Sequence, residues 1–199
     1  MHPIPRSATA LFAWTFACAA LAAAEPGQRA PEFKAANLAG EPVSLAQFRG
    51  RTVVLEWNNP NCPFVRKHYD SGNMQKLQRE KGEVVWLALN STHPDSGDFM
   101  NAAALGKWLA EGKAALSHYL PDPDGRIGRA YGAKTTPHMY VIDGKGMLVY
   151  AGAIDDKRSA NVADVAGAKN YVAAVLAALA AGRPVADAST APYGCSVKY

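Results

Sequence analysis

Cysteine is scarce in this sequence, with three in 199 residues, at positions 18, 62 and 195. No two of them stand at the short spacing of a Cys-x-x-Cys redox pair or a metal knuckle. Charge is thin as well. Asp, Glu, Lys and Arg make up 19% of the chain, below the usual quarter, and the net charge of +4 comes from scattered basic residues. No basic cluster awaits a phosphate backbone, so nucleic acid is not an expected partner. Internal repeats are absent, and the length suits one domain with a real core.

The one long apolar run lies near the N-terminus. Arg6 precedes an uncharged stretch over 8–24, and Ala22-Ala23-Ala24 offers a small-residue cleavage site before Glu25. The run is shorter than the roughly 20 apolar residues of a membrane span. Residues 1–24 therefore read as an export signal, and a periplasmic or secreted chain without stable membrane insertion is expected. Thr15-Phe16-Ala17 makes a poor lipidation box ahead of Cys18. Removal of the signal leaves Cys62 and Cys195 in an oxidising compartment, where one disulfide is possible.

Residues 25–184 read as a single α/β domain and residues 185–199 as a tail carrying Cys195. Two short segments, 33–38 and 43–45, flank the turn formers Gly40-Glu41 and predict a small hairpin. Residues 51–57 and 83–89 are nearly all apolar and β-branched or aromatic, as buried central strands are. A helix is predicted from 64 to about 81 with Gly72 as its weak point, and another over 99–111. Further on come a short strand at 116–120, a short helix at 127–131, and strands at 138–142 and 147–150 around Asp143-Gly144-Lys145-Gly146. The helix over 170–181 ends at Gly182 and Pro184. The tail shows no regular pattern. This order predicts a mixed central sheet with helices on both faces.

Cys62 sits where a buried strand hands over, through Asn58-Asn59-Pro60-Asn61, to a helix opened by Pro63. Proline suits the first helical position because its missing N–H costs nothing there. A thiol reacts as its thiolate, and unpaired N–H groups with the helix dipole favour negative charge at a helix start. Arg66, one turn on, adds a cation that would stabilise the thiolate further. A more acidic thiol than ordinary is therefore expected at Cys62. Thr135-Thr136-Pro137 precedes an apolar strand, and a cis bond there would expose the backbone of Thr136 as an edge for substrate peptide. Trp57, Asn59 and Pro63 flank Cys62 and are expected to help form the substrate site, Trp57 as a packing wall and Asn59 by shaping the loop.

Together these residues resemble the thioredoxin-like superfamily, in particular the branch joining peroxiredoxin-like (AhpC/TSA, redoxin) proteins to periplasmic thioredoxin-like ones. The resemblance covers residues 30–181 and rests on Ala30-Pro31-Glu32-Phe33, the 53–57 strand, Cys62-Pro63-Phe64, and Thr136-Pro137 with Tyr140-Val141-Ile142-Asp143. The tail Gly194-Cys195-Ser196-Val197-Lys198 looks like that of a small peroxiredoxin-like family whose active turn reads Asn-Cys-Pro-Phe-Val. The resemblance implies a thioredoxin-like fold, Cys62 as nucleophile, and Pro137 as the cis-proline beside it. Two departures stand out. Val65 occupies the place of the second thioredoxin cysteine, so Cys62 has no partner in its own helix. Asn59 and Leu55 replace the Thr or Ser and the Pro that precede a peroxidatic cysteine, and Pro137 falls where its catalytic Arg is expected, which argues against fast peroxide cleavage.

Cys195 can serve as a resolving thiol, as half of a structural staple, or as a free tail thiol. About 15 residues of tail, at about 3.3 Å each, give it the reach. His68, His93, His118 and His138 show no metal-ligand spacing, so neither metal nor other cofactor is expected; only His138 is expected near the sulfur. Glu56, if buried, is a candidate proton shuttle. The expected function is a thiol–disulfide oxidoreductase acting through Cys62, with a thiol/disulfide protein or a small-molecule thiol as partner. A weak, antioxidant thiol peroxidase and a non-enzymatic peptide-binding module are the alternatives.

Overall fold

The computed structural model describes residues 23–80 and 84–199. The expected signal lies almost wholly outside the described residues. Its centre is a five-stranded sheet in the order β5-β4-β3-β7-β8, built from β3 (Val53–Trp57), β4 (Val85–Asn90), β5 (His118–Pro121), β7 (His138–Ile142) and β8 (Leu148–Gly152). Strands β3, β4 and β5 run parallel, and β7 and β8 turn antiparallel, giving the mixed sheet that the strand and helix order predicts. Every residue of β3, β4 and β7 is buried, which is why these segments lack the alternation of a half-exposed strand.

The strand period of two divides the core. Val53, Leu55 and Trp57 join Leu87, Leu89, Tyr131 and Tyr140 on one face. Val54, Trp86, Met139 and Val141 meet Cys62, Val65, Tyr69, Val172 and Leu176 on the other. The second face is covered by α1 (Pro63–Asp70), α2 (Asn73–Glu80) and α5 (Tyr171–Ala180), and the first by α4 (Arg126–Tyr131). Helix α3 (Ala102–Glu111) starts three residues later than the sequence predicts because Asn101 caps it, accepting from the Ala104 N–H at 2.9 Å.

Three further differences from the sequence reading have local causes. The helix expected over 64–81 breaks into α1 and α2 at Gly72, whose φ of 73° no helix accommodates. The hairpin of β1 (Lys34–Ala36) and β2 (Pro42–Ser44) is present, with Ala35 opposite Val43, but it runs straight into a 3-10 helix, Leu45–Phe48. The tail is not patternless: β9 (Cys195–Ser196) pairs antiparallel with β6 (Thr135–Thr136). Among the described residues no helix is long and apolar enough to cross a membrane.

Candidate active site

Register brings the site together. Trp57 at the end of β3 lies opposite His138 at the start of β7, so the loop leaving β3 and the segment entering β7 meet at one end of the sheet. The loop is shaped by Asn59, whose side chain accepts from the Asn61 N–H at 2.8 Å and whose carbonyl accepts from the Cys62 N–H at 3.0 Å. Cys62 is the N-cap of α1, in extended conformation, with Pro63 in the first turn. Its own carbonyl accepts from the N–H groups of Val65 and Arg66, both at 3.0 Å. The residue is only 2% exposed.

The Cys62 thiol donates to the carbonyl of Thr136 at 2.9 Å. The Thr136–Pro137 peptide is cis. Thr136 is also the register partner of Cys195 across β6 and β9, so one residue touches the first cysteine with its carbonyl and faces the second across the strand pair. The Cys195 thiol is pushed up to about 12, chiefly by burial and then by the hydrogen bond and negative charge of the Cys62 sulfur. Both cysteines are free thiols. The close approach of the tail depends on Gly194: a Cβ there would stand 2.0 Å from the Thr136 oxygen and 2.7 Å from its carbonyl carbon.

Beneath the loop, on the same sheet face as Cys62, lies Glu56. It is fully buried and satisfied by neutral donors: Asn58 Nδ2 at 2.7 Å, Tyr69 Oη at 3.0 Å and Trp86 Nε1 at 2.7 Å. Burial raises its pKa, and these three hydrogen bonds only partly offset the rise. Asn58 is held in turn by Tyr119, which donates to Asn58 Oδ1 at 3.1 Å while accepting from Asn90 Nδ2 at 3.1 Å.

A second buried polar group ties α1 to the tail. Lys67 and Asp155 have side chains 0% and 1% exposed, with Nζ 3.4 Å from Oδ2. Tyr193, two residues before Cys195, donates its hydroxyl to Asp155 Oδ1 and accepts from Lys67 Nζ at 3.3 Å. Lys67 also donates to the Lys157 carbonyl at 2.7 Å. His68 completes the group. Its Nδ1 lies 2.9 Å from Asn73 Nδ2 and its Nε2 lies 3.3 Å from the Tyr193 hydroxyl. Since the amide donates to Nδ1 and the hydroxyl is already spent on Asp155, the network assigns the proton to Nε2. Burial pushes the His68 imidazole down to about 4, so it is neutral.

The residues expected to bind substrate are distributed unevenly. Pro63 is exposed beside the sulfur, while Asn59 is buried and spends its side chain on the loop and on Thr92. Trp57 is 0% exposed and lies on the opposite sheet face from α1, where its ring meets Tyr131 and Tyr140 and its Nε1 donates to Ser91 at 3.0 Å. It supports the sheet from that face. Arg66 is exposed, and its Nε donates to the Pro60 carbonyl at 2.9 Å, bracing the loop from outside. His138 also departs from expectation. Its imidazole turns to Tyr140, with Nδ1 3.0 Å from the hydroxyl, on the face away from Cys62. Of the other histidines, His93 lies beside Asp95 and His118 beside Asn37, on separate elements. Sequence reading missed Lys67, Asp155 and Tyr193 altogether. Their only sequence signal is charge on an inward helix position: Lys67 and His68 sit between Val65 and Tyr69, the two residues that mark the buried side of α1.

A cysteine capping a helix at the end of a central strand, with a cis-proline loop against it, defines a thioredoxin-like α/β protein. The profile of the AhpC/TSA family matches residues 26–151, and the chain belongs to that family. It is 27% identical over 136 residues to the thioredoxin-like protein YneN of Bacillus subtilis, covering 67% of this chain and 75% of that protein. Among solved structures it is similar to an uncharacterised conserved protein of Geobacillus kaustophilus, at 28% identity and a TM-score of 0.77, over 87% of this chain and 92% of that one. A putative thiol:disulfide interchange protein, DsbE, of Chlorobium tepidum matches at 25% identity and a TM-score of 0.50, over 65% of this chain and 85% of that one.

Proposed function

We propose that this chain is an exported thiol–disulfide oxidoreductase in which Cys62 is the nucleophile and Cys195 resolves the intermediate. One observation carries the reading: the β6–β9 pair sets Cys195 opposite Thr136, whose carbonyl holds the Cys62 thiol. Cys62 stands alone in its helix, so a two-cysteine cycle needs a partner from elsewhere, and the tail brings one.

The order of events follows from the placement of the two thiols about Thr136. In the first step the Cys62 thiolate attacks one sulfur of a disulfide R–S–S–R, forming Cys62–S–S–R and releasing R–S⁻. Burial chiefly, and then the hydrogen bond to the Cys62 sulfur, hold the Cys195 thiol protonated. Once Cys62 is in a mixed disulfide, Cys195 is the thiol that stands opposite Thr136 beside it. It then attacks the Cys62 sulfur, closing Cys62–Cys195 and releasing the second R–S⁻. The substrate is reduced to two thiols, the protein is oxidised by two electrons, and an external thiol returns it. The proton of Cys195 passes to a released thiolate, which leaves as R–SH.

The test is turnover of bis(2-hydroxyethyl) disulfide with a thiol reductant, run beside turnover of hydrogen peroxide. Cys62→Ser should lose activity by more than a hundredfold, and Cys195→Ser should accumulate the mixed disulfide. A Cys62→Ser protein that keeps its turnover, or a parent that prefers peroxide, would sink the reading. Unchanged peptide binding with no turnover in either protein would identify a binding module instead.

A further inference from the structure

The Thr135–Thr136 edge, the natural place for a substrate strand, is not vacant. The chain's own tail fills it. Strand β9 pairs there, and Val197 N–H donates to the Lys134 carbonyl at 3.1 Å on one side of the pair. The tail is fastened well beyond those residues. Upstream, the Ala151 N–H donates to the Ala188 carbonyl at 3.1 Å and the Thr190 N–H to the Ala151 carbonyl at 3.2 Å. Tyr193 is pinned in the Lys67–Asp155 group. Downstream, the His93 N–H donates to the Lys198 carbonyl at 2.7 Å, and the Tyr199 hydroxyl to the Ala133 carbonyl at 2.8 Å.

We propose that this docked tail sets the substrate class of the site: it admits low-molecular-weight disulfides and excludes disulfides carried on extended polypeptide. The proposal rests on the reading of Cys62 as nucleophile. A polypeptide needs the backbone of Thr135 and Thr136 to align its disulfide, and β9 holds that backbone. A small disulfide needs only the sulfur. Cys62 lies between Asn61 and Pro63, both exposed, so the cover over it on that side is thin. The chemistry is that of the cycle above. Cys62–S–S–R forms as R–S⁻ leaves, Cys195 closes the internal disulfide, and a second R–S⁻ leaves without the tail departing from its edge.

The experiment measures adduct formation at Cys62 by mass spectrometry, in a Cys195→Ser background where the mixed disulfide accumulates. Two reagents are compared: bis(2-hydroxyethyl) disulfide, and the disulfide-linked dimer of a peptide copying residues 190–199. The peptide already has the shape of the edge strand, so its exclusion would report occupancy and not mismatch. With the tail intact the small reagent should react at least about a hundredfold faster. Gly194→Ala drives a Cβ into the Thr136 backbone and should bring the gap below about tenfold by speeding the peptide far more than the small reagent. Should that variant not fold, Tyr193→Phe removes only the hydroxyl that binds Asp155 and should narrow the gap by a smaller factor. Peptide reacting within tenfold of the small disulfide while the tail is intact would overturn the proposal, as would a gap that neither variant changes. Inertness of Cys62 to both reagents in every variant would instead bring down the nucleophile itself.

Discussion

Oxidation of Cys62 and Cys195 would tie together two points about 130 residues apart. In the chain-entropy description a loop of that length costs the unfolded state about 5 kcal/mol. The folded side of the balance should change little, because β9 already lies against Thr136 and the two thiols already interact. The oxidised protein should therefore be about 5 kcal/mol more stable than the reduced one. By the same cycle, folding favours the disulfide over the dithiol by an equal amount. For a two-electron couple that makes it roughly 110 mV harder to reduce than in the unfolded chain. Urea titrations of the two forms measure the difference directly. With a slope of about 2 kcal/mol per molar, the midpoints should stand roughly 2–3 M apart. Coincident midpoints, or an oxidised form that melts first, would refute the reasoning, since the bond could then close only by pulling β9 from its place.

Two pH effects of opposite sign follow from buried groups. Burial raises Glu56, so the native protein keeps a proton that the unfolded chain gives up, and this contribution declines as pH rises from the ordinary carboxylate value through the raised one. Glu56→Gln should flatten that decline in denaturant midpoints, and an unaltered slope would assign it to another group. His68 and His138 are both pushed down to about 4, chiefly by burial. The unfolded chain takes up protons that the native state refuses, so stability is lost as pH falls from about 6.5 to about 4, by roughly 3 kcal/mol per histidine. His138→Asn should remove about half of this acid loss, and a variant with the parent's full acid limb would count against it.

What the sequence reveals of this molecule is what is local. The 51–57 run, the Cys62-Pro63 turn and the Thr136-Pro137 step each carry their signal within a few residues, and each takes its expected place at one end of the sheet. Trp57 was also legible. On a strand with a period of two, Glu56 and Trp57 must face opposite ways, and the residue that shares Cys62's face is the glutamate. Proximity in sequence suggested the tryptophan instead. The tail strand was not legible, because two residues of β9 have no periodicity to read and are defined only by their partners in β6. The same holds for Lys67. Its burial depends on Asp155 and on Tyr193, 126 residues away, and no window along the chain contains all three.

The pairing of residues 135–136 with 195–196 has a consequence for how the protein comes into being. The sheet, the Cys62 loop and the cis-proline segment are all encoded by residue 152 and can assemble while the tail is still being made. During that interval the first thiol lacks its cover and its partner. The growing molecule thus passes through a stage in which Cys62 is open to any disulfide or oxidant nearby, and that stage ends when residues 193–197 dock.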